Sequence, residues 1–261
     1  MKIKINPKQH KGKTLLEICK DYNEDDLILP DYTSSAAATA TEITLTSEHL
    51  MLMTPSLRLD KAVGLTPDIN MTLKEFGISA NFERTVFFMS NLLHESGEFK
   101  YSEELASGKA YETRVDLGNT PEHDGDGPRH KGFGWMQNTG KENHRLFGEY
   151  IINTHKWNQL YCNMYDQFPE KVGNPVLHNP KIQAVAPWNS IVSGWFWKYR
   201  AKLNPIADTG NFEKICVRIN GGYNGYDDRV KYLNWCMAIL DEFKHLSVVP
   251  NQQYKIKRDA R

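Results

Sequence analysis

Between Thr44 and Phe243 apolar side chains recur every three to four residues in one segment after another, with a single long interruption at residues 105–140. That rhythm is the helical period, so the sequence is expected to fold as a mainly α protein. "NFERTVFFMSNLLHES" carries Phe82, Val86, Met89 and Leu93 on one side, with Phe88 and Leu92 beside them. "PWNSIVSGWFWKYR" places Trp188, Ile191, Val192, Trp195 and Tyr199 on one stripe. "NFEKICVRINGG" does the same with Phe212, Ile215, Cys216 and Ile219 before a glycine stop. "DDRVKYLNWCMAILDEF" is expected to turn Val230, Leu233, Met237 and Leu240 inward, and "TSEHLMLM" opens with a Thr or Ser cap. The interruption is glycine-rich and polar, and reads as an irregular stretch or short hairpin. Long segments of that kind inside compact domains are usually functional.

The ends differ from this middle. Residues 1–42 hold one short helical pattern, "TLLEICKDYN", followed by the small-residue tract "PDYTSSAAATATEIT", and are expected to be an accessory segment and linker. Residues 43–246 form the main domain, and 247–261 read as a basic tail that frays from about residue 250.

Composition narrows the function. Of 261 residues, 40% are hydrophobic and 25% charged, which is globular. The formal net charge is zero, so nothing favours a nucleic-acid partner. No stretch approaches the roughly 18 apolar residues of a membrane span. The start, "MKIKINPKQHKGK", is basic without an apolar run behind it. It is not a secretory signal, and synthesis in a cytoplasm is expected. The cysteines Cys19, Cys162, Cys216 and Cys236 contain no C-x-x-C pair and are expected as free thiols. "HDGDGPRH" lacks the ligand spacing of a calcium loop and reads as a turn, and "GFGWMQNTG" lacks that of a phosphate loop; neither a metal nor a cofactor is expected.

Glu95 continues the Phe88–Leu92 stripe, at i, i+4 and i+7, with Gly97 waiting to end the helix. A carboxylate there loses water, which disfavours its charged form and suits a general acid. A second carboxylate would complete a glycosidase. On one continuous helix Glu104, nine residues on, would face away; a break at Gly97 lets it return across a cleft. Glu98 and Glu103 remain alternatives.

Taken together, "HESGEF", "AYETRVDLGNTPEHDGDGPRHKGFGWMQNTGKENH", "PWNSIVSGWFW" and "LNPIADTGNFEKICVRINGGYNGYDDR" resemble, in order, the family 19 glycoside hydrolases: chitinases and related phage endolysins. The resemblance runs from about Leu45 to about Phe243. It implies a two-lobed, lysozyme-like helical fold with a small irregular or hairpin segment at the cleft. It also implies cleavage of β-1,4 bonds next to N-acetylated sugars, with inversion. By position it makes Glu95 the acid, Glu104 the water-activating base, and Thr139 the hydroxyl that holds the water. Gln137, Asn143, Asn220 and Arg229, with the rings of Trp135 and Tyr223, become sugar-binding residues. The endolysin branch implies peptidoglycan as substrate, action at the bacterial wall or periplasm, release by a holin, and a monomer; a chitinase acting on chitin, a lytic transglycosylase, and a catalytically silent sugar-binding or virion structural protein on the same scaffold stay open as alternatives. Two positions depart from the family pattern: Phe133 stands where an arginine is usual between two glycines, and His144 where a tyrosine is usual. The tract after Glu104 is also short, which keeps Glu103 in contention.

Overall fold

The computed structural model describes residues 39–154 and 173–256. The expected helix and linker in residues 1–38, Cys19, Cys162 and residues 257–261 lie outside the described residues. The helices in chain order are α1 (Ser47–Met53), α2 (Leu59–Glu75), α3 (Phe82–Glu95), α4 (Asp126–Arg129), α5 (Lys141–Thr154), α6 (Pro175–His178), α7 (Trp188–Trp195), α8 (Asn204–Ala207), α9 (Phe212–Asn220) and α10 (Tyr226–Ile239). Short 3-10 turns join several of them, and a π-helical turn, Phe196–Arg200, extends α7. No strand forms among the described residues; the only β pairing there is two isolated antiparallel bridges, Glu103 with Phe133 and Phe133 with Asn138. The expectation of a mainly α chain holds.

The chain divides into two compact units. The first takes the described residues through His94 and those from Trp197 on; the second is Glu95–Phe196. In the first unit α3 is the central element. Phe82, Val86, Phe87, Phe88, Met89, Leu92 and Leu93 are all buried, so the helix is enclosed nearly all round. Phe88 meets Trp197 edge-on at 5.4 Å, and Phe87 meets Phe212 at 5.1 Å. Each such ring contributes roughly 1.5–3 kcal/mol by burial. Trp195 and Trp197 are core residues of the second and first unit, Trp197 in place of the expected Tyr199, which is exposed, and the Trp197 indole donates to Asn204 Oδ1 at 2.7 Å.

Two further expectations need correction, and one helix was not expected. α2 has no counterpart in the sequence reading, because Gly64 and Pro67 look like breakers. The helix runs through both, and exposed Val63 marks its solvent side. On α10 the buried stripe is Tyr226, Arg229, Leu233, Cys236 and Leu240, while Val230 and Met237 are half-buried. Residues 250–256 do not fray. Buried Glu83 accepts hydrogen bonds from Ser247 Oγ, the Val248 amide (3.0 Å) and the Tyr254 hydroxyl (3.0 Å). Lys255 also exchanges backbone hydrogen bonds with Gly210 and Glu213. The expected free thiols Cys216 and Cys236 are buried and unpaired with each other.

α1 begins as read, at Thr46, whose hydroxyl accepts from the His49 amide. His49 closes the box by accepting the Thr46 amide on Nδ1, and its Nε2 faces Glu242 at 3.1 Å. Burial pushes the His49 pKa down to about 4. The second unit packs α5 on α6, and a 3-10 turn, Pro180–Ala184, against α6 and α7.

Candidate active site

Glu95 is the last residue of α3, and the chain there reverses abruptly. Gly97, Glu98 and Phe99 are three consecutive residues with positive φ (55°, 62° and 62°). Glycine adopts that geometry freely, whereas Glu98 and Phe99 are held in it at a cost of roughly 1 kcal/mol or more each. Buried Ser96 holds the turn: its hydroxyl accepts from the Phe99 amide and its carbonyl accepts from the Lys100 and Tyr101 amides, all near 2.9–3.0 Å. This is the break that stops Glu104 from continuing the helix. Glu95 is half-buried, wetter than Phe88 and Leu92 before it, so the apolar stripe shields it only in part.

Past the turn, the chain runs extended through Ser102–Glu104 and pairs with Gly132–Gly134. Glu104 N donates to Gly132 O (2.9 Å) and Gly134 N to Ser102 O (2.8 Å). Phe133 pairs in turn with Asn138 through two backbone hydrogen bonds, so residues 133–138 close a small hairpin. This ladder is the short hairpin expected in the irregular segment.

It also fixes the second carboxylate. Glu104 Oε1 accepts from the Tyr111 hydroxyl at 2.8 Å, and Oε2 accepts from the Gly132 amide at 2.9 Å. Burial, reinforced by the hydrogen bond to Glu104, raises the Tyr111 pKa, so the phenol keeps its proton to donate. Its neighbour Glu103 turns elsewhere, to Lys131 Nζ (3.0 Å) and Lys181 Nζ (3.1 Å). Burial pushes the Glu103 carboxyl up, but the two lysines outweigh it and leave its pKa below the ordinary value.

Gln137 and Thr139 stand over Gly132: a Cβ on that glycine would lie 2.8 Å from Gln137 Oε1 and 3.1 Å from Thr139 Oγ1. Thr139 Oγ1 donates to Gln137 O (2.8 Å), and Asn143 Nδ2 donates to Thr139 O (2.7 Å). The second unit therefore groups Glu104, Gly132, Gln137, Thr139 and Asn143. Trp135 does not join them. Its side chain is fully buried, edge-on to Phe99 at 5.0 Å, so it packs the hairpin and has no free face for a sugar.

Beneath the hairpin lies a buried histidine pair. His144 Nε2 donates to Asn138 O (2.9 Å), which leaves its Nδ1 to accept the Nδ1 proton of His130 at 3.0 Å. Burial lowers both pKa values, to about 4 for His130 and about 3 for His144. Asp126 binds Lys141 (2.8 Å) and the Thr120 amide (3.0 Å), while Glu112 gathers the Gly125 and Gly127 amides. The "HDGDGPRH" stretch is thus a turn cross-braced by hydrogen bonds.

The first unit carries the other three residues. Asn220 ends α9, exposed, with Nδ2 donating to Asn224 O at 3.1 Å. Tyr223 is half-buried and its hydroxyl donates to Glu213 Oε1 at 2.6 Å. Arg229 is 1% exposed, and its Nη1 donates to Asn91 Oδ1 at 2.6 Å. That burial makes Arg229 a tie between α3 and α10, not an open sugar contact. Next to it in the same unit, His94 Nδ1 meets Asp228 Oδ2 at 2.7 Å. Tyr111, which the sequence reading missed, is placed by an irregular loop that carries no periodic signal.

No family model matches the chain. A glycosyl hydrolase family 19 domain-containing protein of Haemophilus influenzae is 30% identical over 162 residues, 62% of this chain and 65% of that protein. The chain thus spans less than two thirds of that relative. Among solved structures, chitinase C from Streptomyces griseus HUT6037 superposes with a TM-score of 0.58 at 16% identity, over 82% of this chain and 99% of the chitinase. A mutant of chitinase C gives a TM-score of 0.54 at 16% identity, over 80% and 79%. The fold is therefore the mainly helical fold of chitinase C. Among the described residues no helix is long and apolar enough to cross a membrane.

Proposed function

We propose that this chain is a family 19 glycoside hydrolase that cleaves β-1,4 bonds between N-acetylated sugars of peptidoglycan, with inversion. Glu95 protonates the departing oxygen, and Glu104 takes a proton from the attacking water, steadied by Thr139. The observation that carries this reading is the hydrogen-bonding of Glu104. Its two oxygens accept from the Tyr111 hydroxyl and the Gly132 amide, which fix the carboxylate in place beside Gln137 and Thr139. Glu103, bound to two lysines, is the poorer base. Gln137 and Asn143 supply amides for acetamido and hydroxyl groups. The Haemophilus relative and the ordered sequence blocks support membership of the family. Within it, we read the chain as a phage endolysin, released by a holin and acting as a monomer on the wall.

The test is mass spectrometry of purified sacculi after digestion. New reducing ends identify a hydrolase and name the sugar cleaved; anhydro-sugars instead mean a lytic transglycosylase. Release of products from chitin but not from sacculi moves the protein to the chitinases, the reading that its likeness to chitinase C favours. Neither product, from folded protein, leaves a silent sugar-binding scaffold.

A further inference from the structure

Beside Glu104, on the same ladder, the second unit has a cavity of about 470 Å³ lined by Glu103, Arg129, Lys131, Phe133, His178 and Lys181, among others. Arg129, Lys131 and Lys181 are permanent cations and Glu103 is the single carboxylate, a net +2 with His178 neutral. Glu103 already shows what the cavity holds well: its carboxylate sits between two ammonium groups 3.0 and 3.1 Å away. Arg129 is exposed and makes no ion pair among the described residues. The cavity is built into the site, because Lys131 Nζ also donates to the backbone oxygen of Glu104 at 2.9 Å, and the next amide, Gly132 N, holds the Glu104 carboxylate.

Chitin carries no charge along its length, so a cationic cavity gives it nothing. Peptidoglycan carries carboxylates on its stem peptides, each joined by an amide to a lactyl group, and on those lactyl groups from which the peptide is missing. The successive residues Glu103 and Glu104 send their carboxylates to different partners, Glu103 into the cavity and Glu104 to Tyr111 and Gly132. An anion in the cavity therefore hangs from an arm off the glycan and not from the bond being cut. We propose that the Arg129–Lys131–Lys181 cavity binds a stem-peptide carboxylate, and so selects peptide-bearing strands. This rests on the reading of the chain as a peptidoglycan hydrolase.

The experiment measures equilibrium binding by titration calorimetry, which needs no turnover. The probes are a disaccharide tetrapeptide, the same disaccharide stripped of its peptide, and a neutral chitin disaccharide. The proteins are wild type, Arg129→Glu, Lys181→Glu and Glu103→Gln. Each charge reversal is expected to weaken the tetrapeptide probe about tenfold more than the chitin probe, the size of one charge-assisted hydrogen bond. Glu103→Gln is expected to tighten the tetrapeptide probe by freeing both lysines. An equal weakening on the stripped disaccharide, whose lactyl carboxylate is free, overturns the assignment to the stem peptide. Equal change on all three probes, or none on any, overturns the proposal. Cleavage of sacculi by wild type is scored separately, so failed hydrolysis and a failed anion site are told apart.

Discussion

The rings of Phe133 and His144 lie 5.8 Å apart, and both side chains are buried. These are the two positions at which the chain departs from the family pattern, and they form one packing unit with His130 beneath the hairpin. The arginine usual at the first position would lose water against the histidine pair, and in the cavity that Phe133 also lines Lys131 and Lys181 already occupy the Glu103 carboxylate. Phe133→Arg is therefore expected to lower stability by about 3 kcal/mol or more. His144→Tyr in that background recovers part of the loss if the two sites are coupled. Urea denaturation of both single variants and the double variant gives the coupling; strict additivity shows that the departures are independent.

Glu95→Gln keeps the shape of the side chain and removes the proton that the proposed acid supplies. Turnover of sacculi should fall by about 10²–10⁴-fold with binding retained. Clearance near the wild-type rate removes Glu95 from the acid role.

Glu104→Gln should cost comparable activity, Glu103→Gln little, and Tyr111→Phe about tenfold through loss of one donor to Glu104. All four proteins are compared at one pH on the same sacculi. If Glu103→Gln proves the more damaging, the base is Glu103.

The histidine pair makes the second unit sensitive to acid. In the unfolded chain both imidazoles titrate near the ordinary value of about 6.5. In the fold they titrate at about 4 and about 3, because burial disfavours the charged form. Below pH 6.5 the unfolded state binds more protons, so stability is full above that pH and is lost as the pH falls toward 4 and below. The loss is on the order of a few kcal/mol. His49 adds to it from the first unit. The urea midpoint should drop between pH 7 and 4.5 while the imidazole NMR shifts of His130 and His144 stay neutral down to pH 5. Titration of either ring near pH 6.5 contradicts the buried pair.

Glu83→Ala strips the carboxylate that holds Ser247, Val248 and Tyr254. Leaving those donors unmatched should cost about 2–4 kcal/mol. Amide exchange at residues 247–256 should rise more than in α9; uniform exchange would mean that Glu83 does not anchor the segment.

The strong helices were legible because their apolar spacing is dense, as in α3 and α9. α2 was not, since Pro67 and Gly64 argue locally against a helix that tertiary burial of Ile69 and Leu73 sustains. On α10 the inward face is shared by Arg229 and Tyr226, polar-tipped residues that a purely apolar pattern assigns outward. The grouping of Glu104 with Gln137, Thr139 and Asn143 followed from matched sequence blocks. The roles of Tyr111 and Trp135 depend on irregular loops, whose course no periodicity encodes.

The first unit is assembled from both ends of the chain, and its ties are long: Asn91 to Arg229 spans 138 residues, and Glu83 to Tyr254 spans 171. The second unit is one unbroken stretch, complete once Phe196 has been made. On a ribosome the second unit can therefore fold while α3, its apolar faces uncovered, waits for Trp197, Phe212 and Tyr254 to be synthesised. Enclosure of α3 cannot be complete before Tyr254 is made, and until then its apolar faces are open to chaperones and proteases.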